Sequence, residues 1–501
     1  MNNRWVMYAV AASCAAAVLL GGCIPEDSLE WSEDGSVGLL KVGGDLYLAD
    51  GQTDALTKIA SGDIQLLPDI SKDGSTIAWA EQIKCDSLPE GLKLLPAGQV
   101  KMIAFYAAKA AVSLLDAGKL TDSRFPFPDQ GLLTPREYRN WAIRYLVESP
   151  DPKVSQLLGQ EGIKKARELP LHYFQVVVVS RKAPDKKNVV ATSLFATLGT
   201  RLSPNNQHVA YLMHTQHGQV SNAFEEYGLF IASLKGDAKA VRVGDRVAFG
   251  YDWGKDGERI AYLDADSQDL SQDDLILGSL KERIVADAQG RLLATPAAPS
   301  DQGSPCTHEC TGETSSFAGA VFYPWLKVRY GAGGRVFFSS CLLPLPTAKK
   351  DEPRWSLFCY DPVTAAVADV LPSGVSTYTG QALMMTQFAL SPDQRNVLLP
   401  IKKNRFICYE LGTDSMEIPI REDEGFGEED AAEMLPSWKG NDEITFLVSE
   451  KSHFLVKAEE GVDTSSKQII ALKKSDGTTR VMGKNWASQV TPRSEDRPQE
   501  K

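Results

Sequence analysis

The stretch Leu67–Ala80, LPDISKDGSTIAWA, consists of a short apolar run, a tight polar turn and a second apolar run. Asp-Gly between two apolar runs is a strong hairpin signal, because glycine tolerates the positive φ that a tight turn requires. Variants of this unit recur along the chain, with turns at Trp31-Ser32-Glu33-Asp34-Gly35, Leu202-Ser203-Pro204-Asn205-Asn206, Trp253-Gly254-Lys255-Asp256-Gly257, Leu390-Ser391-Pro392-Asp393-Gln394 and Ser437-Trp438-Lys439-Gly440-Asn441. The repetition predicts a protein assembled from similar β units.

A second pair of short strands follows each hairpin, which gives about seven four-stranded units between Trp31 and Met482. In the fourth unit this pair is predicted at Leu275–Leu280 and Arg283–Ala286. Tandem four-stranded units predict an all-β fold, a β-propeller of about seven blades, because radial closure buries each twisted sheet against its neighbours. An immunoglobulin-like array would not restart at the same hairpin each time.

The β pattern is interrupted from about Leu88 to Leu171, where the apolar period changes from two to near 3.6. Thr134, Pro135 and Glu137 form a helix-start signal inside this segment. The sequence therefore predicts an α-helical subdomain inserted in the second blade, which is either a lid or partner platform or simply a cover for that blade. The predicted division of the chain is 1–22 signal peptide, 23–87 first blades, 88–171 helical insertion, 172–486 remaining blades and 487–501 disordered tail.

The hairpin unit resembles the repeat of TolB-type, WD-like periplasmic propellers, whose signature is a Ser-Pro-Asp-Gly turn followed by a strand ending in an aromatic residue. Leu202–Tyr211 and Leu390–Leu399 match it best, and both depart from it at the glycine, through Asn206 and Gln394. The resemblance covers most of the chain outside the insertion. It implies a TolB-like fold and leaves the function open.

The first 23 residues resemble a bacterial lipoprotein signal peptide. Arg4 precedes the apolar run Trp5–Leu20, and Leu20-Gly21-Gly22-Cys23 resembles a lipobox. The alternative, a spanning helix, needs roughly 20 apolar residues. The resemblance implies cleavage before Cys23 and acylation of its thiol and amine, with palmitate-like chains holding the protein at a membrane. Ile24 after the cysteine implies the periplasmic face of the outer membrane if the cell is Gram-negative.

Composition sets limits on the partners. The chain has 501 residues, of which 43% are hydrophobic, and 65 acidic against 53 basic residues give a net charge of −12. No basic stripe that could neutralise phosphates is visible in the sequence, so we expect no nucleic-acid partner.

Six cysteines remain after the signal peptide and Cys23 are set aside, and they allow fifteen pairings. Cys341 and Cys359 are candidates for a disulfide between neighbouring strands, and Cys306 and Cys310 are candidates for a small closed loop. Buried free thiols are the alternative for Cys359 and Cys408. Zinc at Cys306-Thr-His308-Glu-Cys310 would lack a second ligand pair.

Loop lengths predict where a partner binds. Alternating strand direction puts the inner hairpin turns on one face of a propeller and the connections between second and third strands on the other. The helical insertion, 214–227, 264–274, 342–354 and 449–467 are connections of the second kind. We call that side the long-loop face, and we expect it to bind a protein or peptide.

Metal and catalytic signals are weak. His214 and His217 are candidate metal ligands, and Asp264, Asp266 and Asp269 give a weak possibility of calcium without the glycine and bidentate glutamate of an EF-hand. No cofactor is expected. The sequence contains no Gly-x-Ser-x-Gly elbow, P-loop or dinucleotide fingerprint, so a binding scaffold is preferred. The alternative is a propeller-fold hydrolase or lyase acting on envelope glycan or peptide.

Overall fold

The computed structural model describes residues 27–117, 136–148, 152–214, 227–235, 240–265, 277–286, 291–292, 307–310, 313–316, 320–321, 326–342, 354–364, 366–371, 388–402, 405–413, 416–417, 436–448 and 468–483. Within them the chain forms seven blades, each built around consecutive antiparallel strands. Ala320–Val321 pairs with the third strand of blade 4 and the second strand of blade 5, and Thr307–Cys310 pairs in parallel with the outer strand of blade 5. The predicted all-β, seven-bladed propeller is therefore confirmed.

The strands of each blade run in chain order from the inner edge outward. Blade 1 contains Ser28–Trp31, Val37–Val42, Asp45–Asp50 and Leu56–Ser61; blade 2 contains Asp63–Ile64 with Asp69–Ile70, Thr76–Cys85, Leu171–Ser180 and Ala183–Ser193; blade 3 contains Thr197–Leu202, His208–His214, Tyr227–Ser233 and Val241–Gly244; blade 4 contains Asp252–Trp253, Arg259–Ala265, Leu277–Ala286 and Arg291–Leu292. Blade 5 contains Val328–Tyr330, Val336–Leu342, Arg354–Asp361 and Ala366–Asp369; blade 6 contains Ala389–Leu390, Asn396–Lys402, Arg405–Glu410 and Met416–Glu417; blade 7 contains Ser437–Lys439, Glu443–Val448, Gln468–Lys473 and Thr479–Met482.

Apolar side chains fill the spaces between neighbouring blades. Leu39 of blade 1 packs with Ile77 and Trp79 of blade 2, and comparable clusters join the other neighbours. Side chains alternate between the two faces of a strand, so each sheet contributes to a cluster on either side. Burial of each large side chain contributes roughly 1.5–3 kcal/mol. The apolar clusters between neighbouring blades therefore form the hydrophobic core of the protein.

The ring closes between blades 7 and 1 through side chains. Leu29 and Tyr47 pack with Ile469 in one buried cluster. The indole Nε1 of Trp31 donates a hydrogen bond to Thr445 Oγ1 at 3.0 Å, and an ion pair joins Arg480 to Asp54 at 2.6 Å. Blades 1 and 7 each hold four strands of their own segment, so closure needs no strand shared between the two ends.

The insertion lies between the second and third strands of blade 2. Its helices are α1 (Leu88–Leu94), α2 (Ala97–Ala117), α3 (Arg136–Glu148) and α4 (Pro152–Glu168). Trp141 is fully buried against the blade and donates its indole N–H to the carbonyl of His172 at 3.0 Å. The insertion is thereby fastened to the strand that follows it. None of the helices described is long and apolar enough to cross a membrane.

Two strand predictions were wrong in their bounds. The second strand of blade 2 runs to Cys85, five residues beyond the predicted end at Ala80. The third strand of blade 4 is continuous from Leu277 to Ala286, so the predicted break at 281–282 is absent. Lys281 and Glu282 occupy that place, and neither is a turn-forming residue, so nothing in the local sequence stops the strand.

Candidate functional site: the axial channel

The recurring hairpin is held by hydrogen bonds of one serine and one aspartate. In blade 2, Ser71 Oγ donates to Asp73 Oδ1 at 2.6 Å and accepts the N–H of Thr76 at 2.9 Å. Asp73 Oδ1 also accepts the N–H of Ser75 at 3.0 Å. The serines of three other turns, Ser32, Ser203 and Ser391, make the same pattern. The motif thus fixes the end of each inner strand through local side-chain bonds.

One position of the inner strand recurs in register in every blade, two residues before the first turn residue. We call these residues the channel ring. From blade 1 to blade 7 its members are Glu30, Asp69, Arg201, Asp252, Arg329, Ala389 and Ser437. Five of the seven are charged, although an inner strand beside a hydrophobic core would be expected to be apolar.

All seven ring residues line a single cavity of about 290 Å³ on the propeller axis. The cavity extends from Lys327 and Gly199, at the end of the inner strands that is nearer the long-loop face, to Lys72 and Pro204 in the turns at the opposite face. Lys72 belongs to the turn Lys72-Asp73-Gly74, so the hairpin turn of blade 2 also borders the candidate site.

Two ring carboxylates tie neighbouring blades together. Asp69 Oδ2 accepts the N–H of Leu202 at 2.6 Å, and Asp252 Oδ2 accepts the N–H of Tyr330 at 3.0 Å. Both bonds reach from one blade to the next. Arg201 also approaches Asp252, with 3.8 Å between Nη1 and Oδ1. These side chains satisfy main-chain N–H groups at the inner edge of the sheets, where no further strand pairs with them.

Burial in the channel shifts the protonation of its charged groups. Burial raises the pKa of Asp69 to about 8, although Arg201 and the N–H of Leu202 act in the opposite direction. Burial likewise raises the pKa of Asp252. Burial lowers the pKa of Lys327 to about 8, and Arg201 lowers it further. Burial therefore favours the neutral form of Asp69 in a channel that Arg201 and Lys327 also line.

Aromatic residues next to the channel ring also connect blades. The indole N–H of Trp253 donates to the carbonyl of Arg201 at 3.1 Å, and that of Trp438 donates to the carbonyl of Ala389 at 3.0 Å. Each tryptophan thus holds a ring residue of the preceding blade. The channel wall is consequently fixed by side-chain bonds on both sides of the ring position.

The structure does not bring the predicted metal ligands together in its described part. His214 ends the second strand of blade 3, beside the rings of Phe195 and Tyr227. Asp264 is buried in blade 4, where it pairs with Lys281 at 2.7 Å and accepts the N–H of Arg246. His217, Asp266 and Asp269 lie outside the described residues. Among the residues described, no group of three or more His, Cys, Asp or Glu is arranged to hold a metal.

The candidate disulfide between Cys341 and Cys359 is not formed. The two residues lie on neighbouring strands, but Cys341 faces Trp355 and Cys359 faces Phe337. They are four residues apart along the pair, or roughly 13 Å at the usual rise of a strand. Cys359 and Cys408 are buried and form no disulfide, and burial raises the pKa of Cys359 to about 11. Cys310 ends a short strand paired with Glu313–Ser316, and Cys306 lies outside the described residues.

Cys23, the predicted lipidation site, and most of the long connections lie outside the described residues. The second strands of blades 2, 3, 4, 5 and 7, from which those connections start, end at the face opposite the hairpin turns. The long-loop face is thus fixed by strand direction, whereas what binds there stays a prediction.

No protein-family model and no curated protein matches the chain. Solved structures do match, and they include β-propellers. TolB from Acinetobacter baumannii is 10% identical over 61% of this chain and 58% of its own, with a TM-score of 0.32. The β-propeller domain of the Trilobed protease from Pyrococcus furiosus is 9% identical over 92% of this chain and 96% of its own, with a TM-score of 0.43.

Oligogalacturonate lyase from Vibrio parahaemolyticus is 12% identical over 74% of this chain and 72% of its own, with a TM-score of 0.35. The chain spans a little over half the length of the Acinetobacter baumannii TolB that it matches. These likenesses extend to the propeller fold and no further.

Proposed function

We propose that this protein is a ligand-binding propeller of a bacterial cell envelope, held at the membrane by lipid on Cys23. A protein or peptide partner binds at its long-loop face and enters its axial channel. One observation carries the proposal: the inner strands of all seven blades bound a single cavity, and every channel-ring residue lines it. Concave sites that combine apolar walls with a few placed polar groups are where ligands usually bind.

The bonding of the ring carboxylates supports a binding site of fixed shape. Asp69 and Asp252 each accept a main-chain N–H from the following blade. These bonds fix both side chains at the inner edge of the sheets. The ring is thus suited to a rigid binding scaffold.

The helical insertion supports a protein partner. Four of its large apolar side chains are exposed, namely Leu94 in α1 and Met102, Phe105 and Val112 in α2. Phe105 and Val112 are seven residues apart, so they lie on the same side of the helix. Apolar side chains clustered on a surface are typical of protein interaction sites.

Partner capture from the native envelope tests this proposal. We expect Phe105→Glu to reduce recovery of the captured protein at least about tenfold, because a charged side chain cannot be buried in an apolar contact. Val363→Glu is the matched control, since Val363 is 88% exposed in the outer turn of blade 5. Equal recovery with both variants would exclude the insertion from the interface, and an absence of any captured protein with the wild type would refute the proposal.

The anchor has its own test. We expect Cys23→Ala to move the protein from the washed membrane fraction to the soluble fraction, because acyl chains are the proposed hold on the bilayer. Metabolic labelling with an alkyne fatty acid should mark the wild type alone. Retention of the variant in washed membranes would contradict lipid anchoring.

A second candidate, a hydrolase or lyase of envelope glycan or peptide, is favoured by one observation. Asp69 is buried in the cavity with its pKa raised to about 8, as in general acids. Cleavage of purified envelope material that is lost in Asp69→Asn and retained in Lys473→Met, a variant outside the cavity lining, would support that candidate. The binding proposal expects no turnover from either protein.

A further inference from the structure

Lys327 is a buried lysine that lines the channel. It lies immediately before the inner strand of blade 5, with its N–H donated to Ser339 Oγ at 3.2 Å. Its main chain also forms a parallel β-bridge to Gly250 of blade 4. Only 9% of the residue is exposed. The backbone is therefore fixed, and the side chain is confined to the cavity that it lines.

The ammonium of Lys327 has no anionic partner within the described part of the chain. No hydrogen bond or ion pair of Nζ is formed there, and Nζ lies 5.9 Å from the centroid of the ring of Phe388. Two partly buried lysines among the described residues are paired with carboxylates. Lys439 has a side chain that is 9% exposed, and its Nζ is 2.7 Å from Glu443. The side chain of Lys281 is 34% exposed, and its Nζ is 2.7 Å from Asp264.

A buried ammonium without an anion is costly, because burial removes its hydration and nothing replaces it. Such a group is retained where something else supplies the anion. We infer that the channel receives a carboxylate of the partner peptide and that this carboxylate pairs with Lys327. The inference rests on the proposed function and specifies which chemical group of the partner is recognised.

The surroundings of Lys327 favour a singly charged anion. Glu30 and Asp252 of the channel ring act to raise the pKa of Lys327, whereas Arg201 acts to lower it. A doubly charged phosphate would meet repulsion from those two carboxylates, whereas a monocarboxylate matches the single charge of Lys327. The carboxyl terminus of a chain is the natural source, because a cavity of about 290 Å³ admits a chain end and not a folded surface.

The inner strands explain why the chain would be a peptide. They are sheet edges, so main-chain N–H and C=O groups border the channel and can bond to the main chain of an extended peptide. Asp69 and Asp252 already satisfy some of these N–H groups in the same way. A sugar acid offers the same carboxylate without the main chain, and it is one outcome of the experiment below.

The experiment measures acetylation of Lys327 by acetic anhydride in the detergent-solubilised full-length protein, with peptide mass spectrometry as the readout. The probe is a mixture of N-acetylated pentapeptides of random sequence with free carboxyl termini. We expect it to slow acetylation of Lys327 at least about tenfold at saturation, since an ion-paired amine must first lose its partner. The same mixture as carboxamides should give no protection. Lys72, exposed at the rim of the cavity, reports reagent activity in the same sample.

The other outcomes each overturn the inference. Equal protection by carboxamides would show that peptides bind without the carboxylate. Protection by galacturonate or by orthophosphate, with none by the peptides, would assign the site to a sugar acid or an inorganic ion. Acetylation unaffected by any probe would show that no carboxylate reaches Lys327.

Two variants separate this inference from the proposed function. Lys327→Met should abolish calorimetric binding of the carboxylate mixture, and Lys473→Met, at the end of the third strand of blade 7 and outside the cavity lining, should leave it within about twofold. If the wild type captures a partner from the envelope and Lys327→Met captures it equally well, the inference fails while the proposed function stands. If no partner is captured but the acetylation pattern is as expected, the proposed function fails and the carboxylate site stands.

Discussion

The inner strands of six blades are held in place in one of two ways. Blades 1, 2, 3 and 6 hold their hairpins with a serine and its aspartate or asparagine. Blades 4 and 5 begin their turns with glycine, and their inner strands are joined directly, with the N–H of Gly250 donated to the carbonyl of Leu326 at 3.0 Å. Where local side chains hold the hairpin, the motif is visible in the sequence. Blades 4 and 5 lack the serine motif. Lys327, which has no anionic partner among the described residues, lies where the main chains of these two blades meet.

Breaking the contact between blades 4 and 5 should have the largest effect. A Cβ at Gly250 would lie 2.3 Å from the Cα of Lys327 and 2.7 Å from the carbonyl oxygen of Leu326, both of which are main-chain atoms. We expect Gly250→Ala to lower the free energy of unfolding by about 3 kcal/mol in urea denaturation. Gly98→Ala is the control, because nothing lies within 4 Å of that position. Similar stabilities for the two variants would show that the bridge is dispensable.

Replacing Lys327, which has no anionic partner among the described residues, should stabilise the protein. Lys327→Met should raise the free energy of unfolding at pH 7 by about 2 kcal/mol, because a buried ammonium without an anion is removed. Lys439→Met should lower it by about 1 kcal/mol, because Glu443 loses the closer of its two cationic partners and keeps only Arg480 at 3.5 Å. Thermal denaturation of both variants beside the wild type measures the difference.

The gain from Lys327→Met should depend on pH in a defined window. The folded pKa of Lys327 is lowered from 10.5 to about 8. Below pH 8 both the folded and the unfolded wild type are protonated there, so the full penalty applies. Between pH 8 and 10.5 only the unfolded state keeps the proton, so the wild type gains stability with pH and approaches the variant. A difference in the free energy of unfolding between variant and wild type that stays constant up to pH 10.5 would contradict the lowered pKa.

Removing a turn serine should have an intermediate effect. Ser71→Ala leaves the N–H of Thr76 without the hydroxyl that it contacts at 2.9 Å and frees Asp73 from its 2.6 Å bond. We expect a loss of about 1.5 kcal/mol in urea denaturation. Ser391→Ala should cost a similar amount, since the same bonds recur in blade 6. Unequal losses would show that the repeated motif is not energetically equivalent between blades.

The smallest effect is expected where the motif lacks its glycine. Gln394 has a φ of 60° at the position that Gly74 occupies with a φ of 67°. A side chain is strained in this left-handed region, so Gln394→Gly should stabilise the protein by about 1 kcal/mol. Asn206→Gly should gain less, because asparagine tolerates the same conformation. Differential scanning calorimetry checks the order of the two variants, and a loss for Gln394→Gly would oppose this reading.

The fold could be predicted because its determinants are local. The serine, the aspartate and the left-handed turn residue are within four positions of one another, so the hairpin is readable wherever they occur. The bounds of long strands were not readable in the same way. In Thr76–Cys85 the polar Glu81 is buried because it accepts the indole N–H of Trp79 and pairs with Lys187 from 106 residues away.

The candidate site escaped prediction because its residues come from all seven blades. No stretch of sequence shows that Asp69 and Arg201 share one ring, since only the register of the sheets aligns them. A signal was nevertheless present. Aligning the hairpins at their turns places a charged residue two positions before the turn in five of seven units. A polar position that recurs at the inner edge of a core strand indicates a shared polar space.

The direction of the first strand has a consequence for the tethered protein. Ser28–Trp31 runs toward the hairpin-turn face, so the chain enters the propeller at the opposite end, on the inner strand itself. On the proposed anchor, the five steps from Cys23 to Ser28 span at most about 18 Å even when fully extended. The long-loop face would then stand over the lipid headgroups at close range. A protein anchored in this way would select partners that reach the channel from within the membrane, or that send a thin segment into a narrow gap, over bulky proteins arriving from solution.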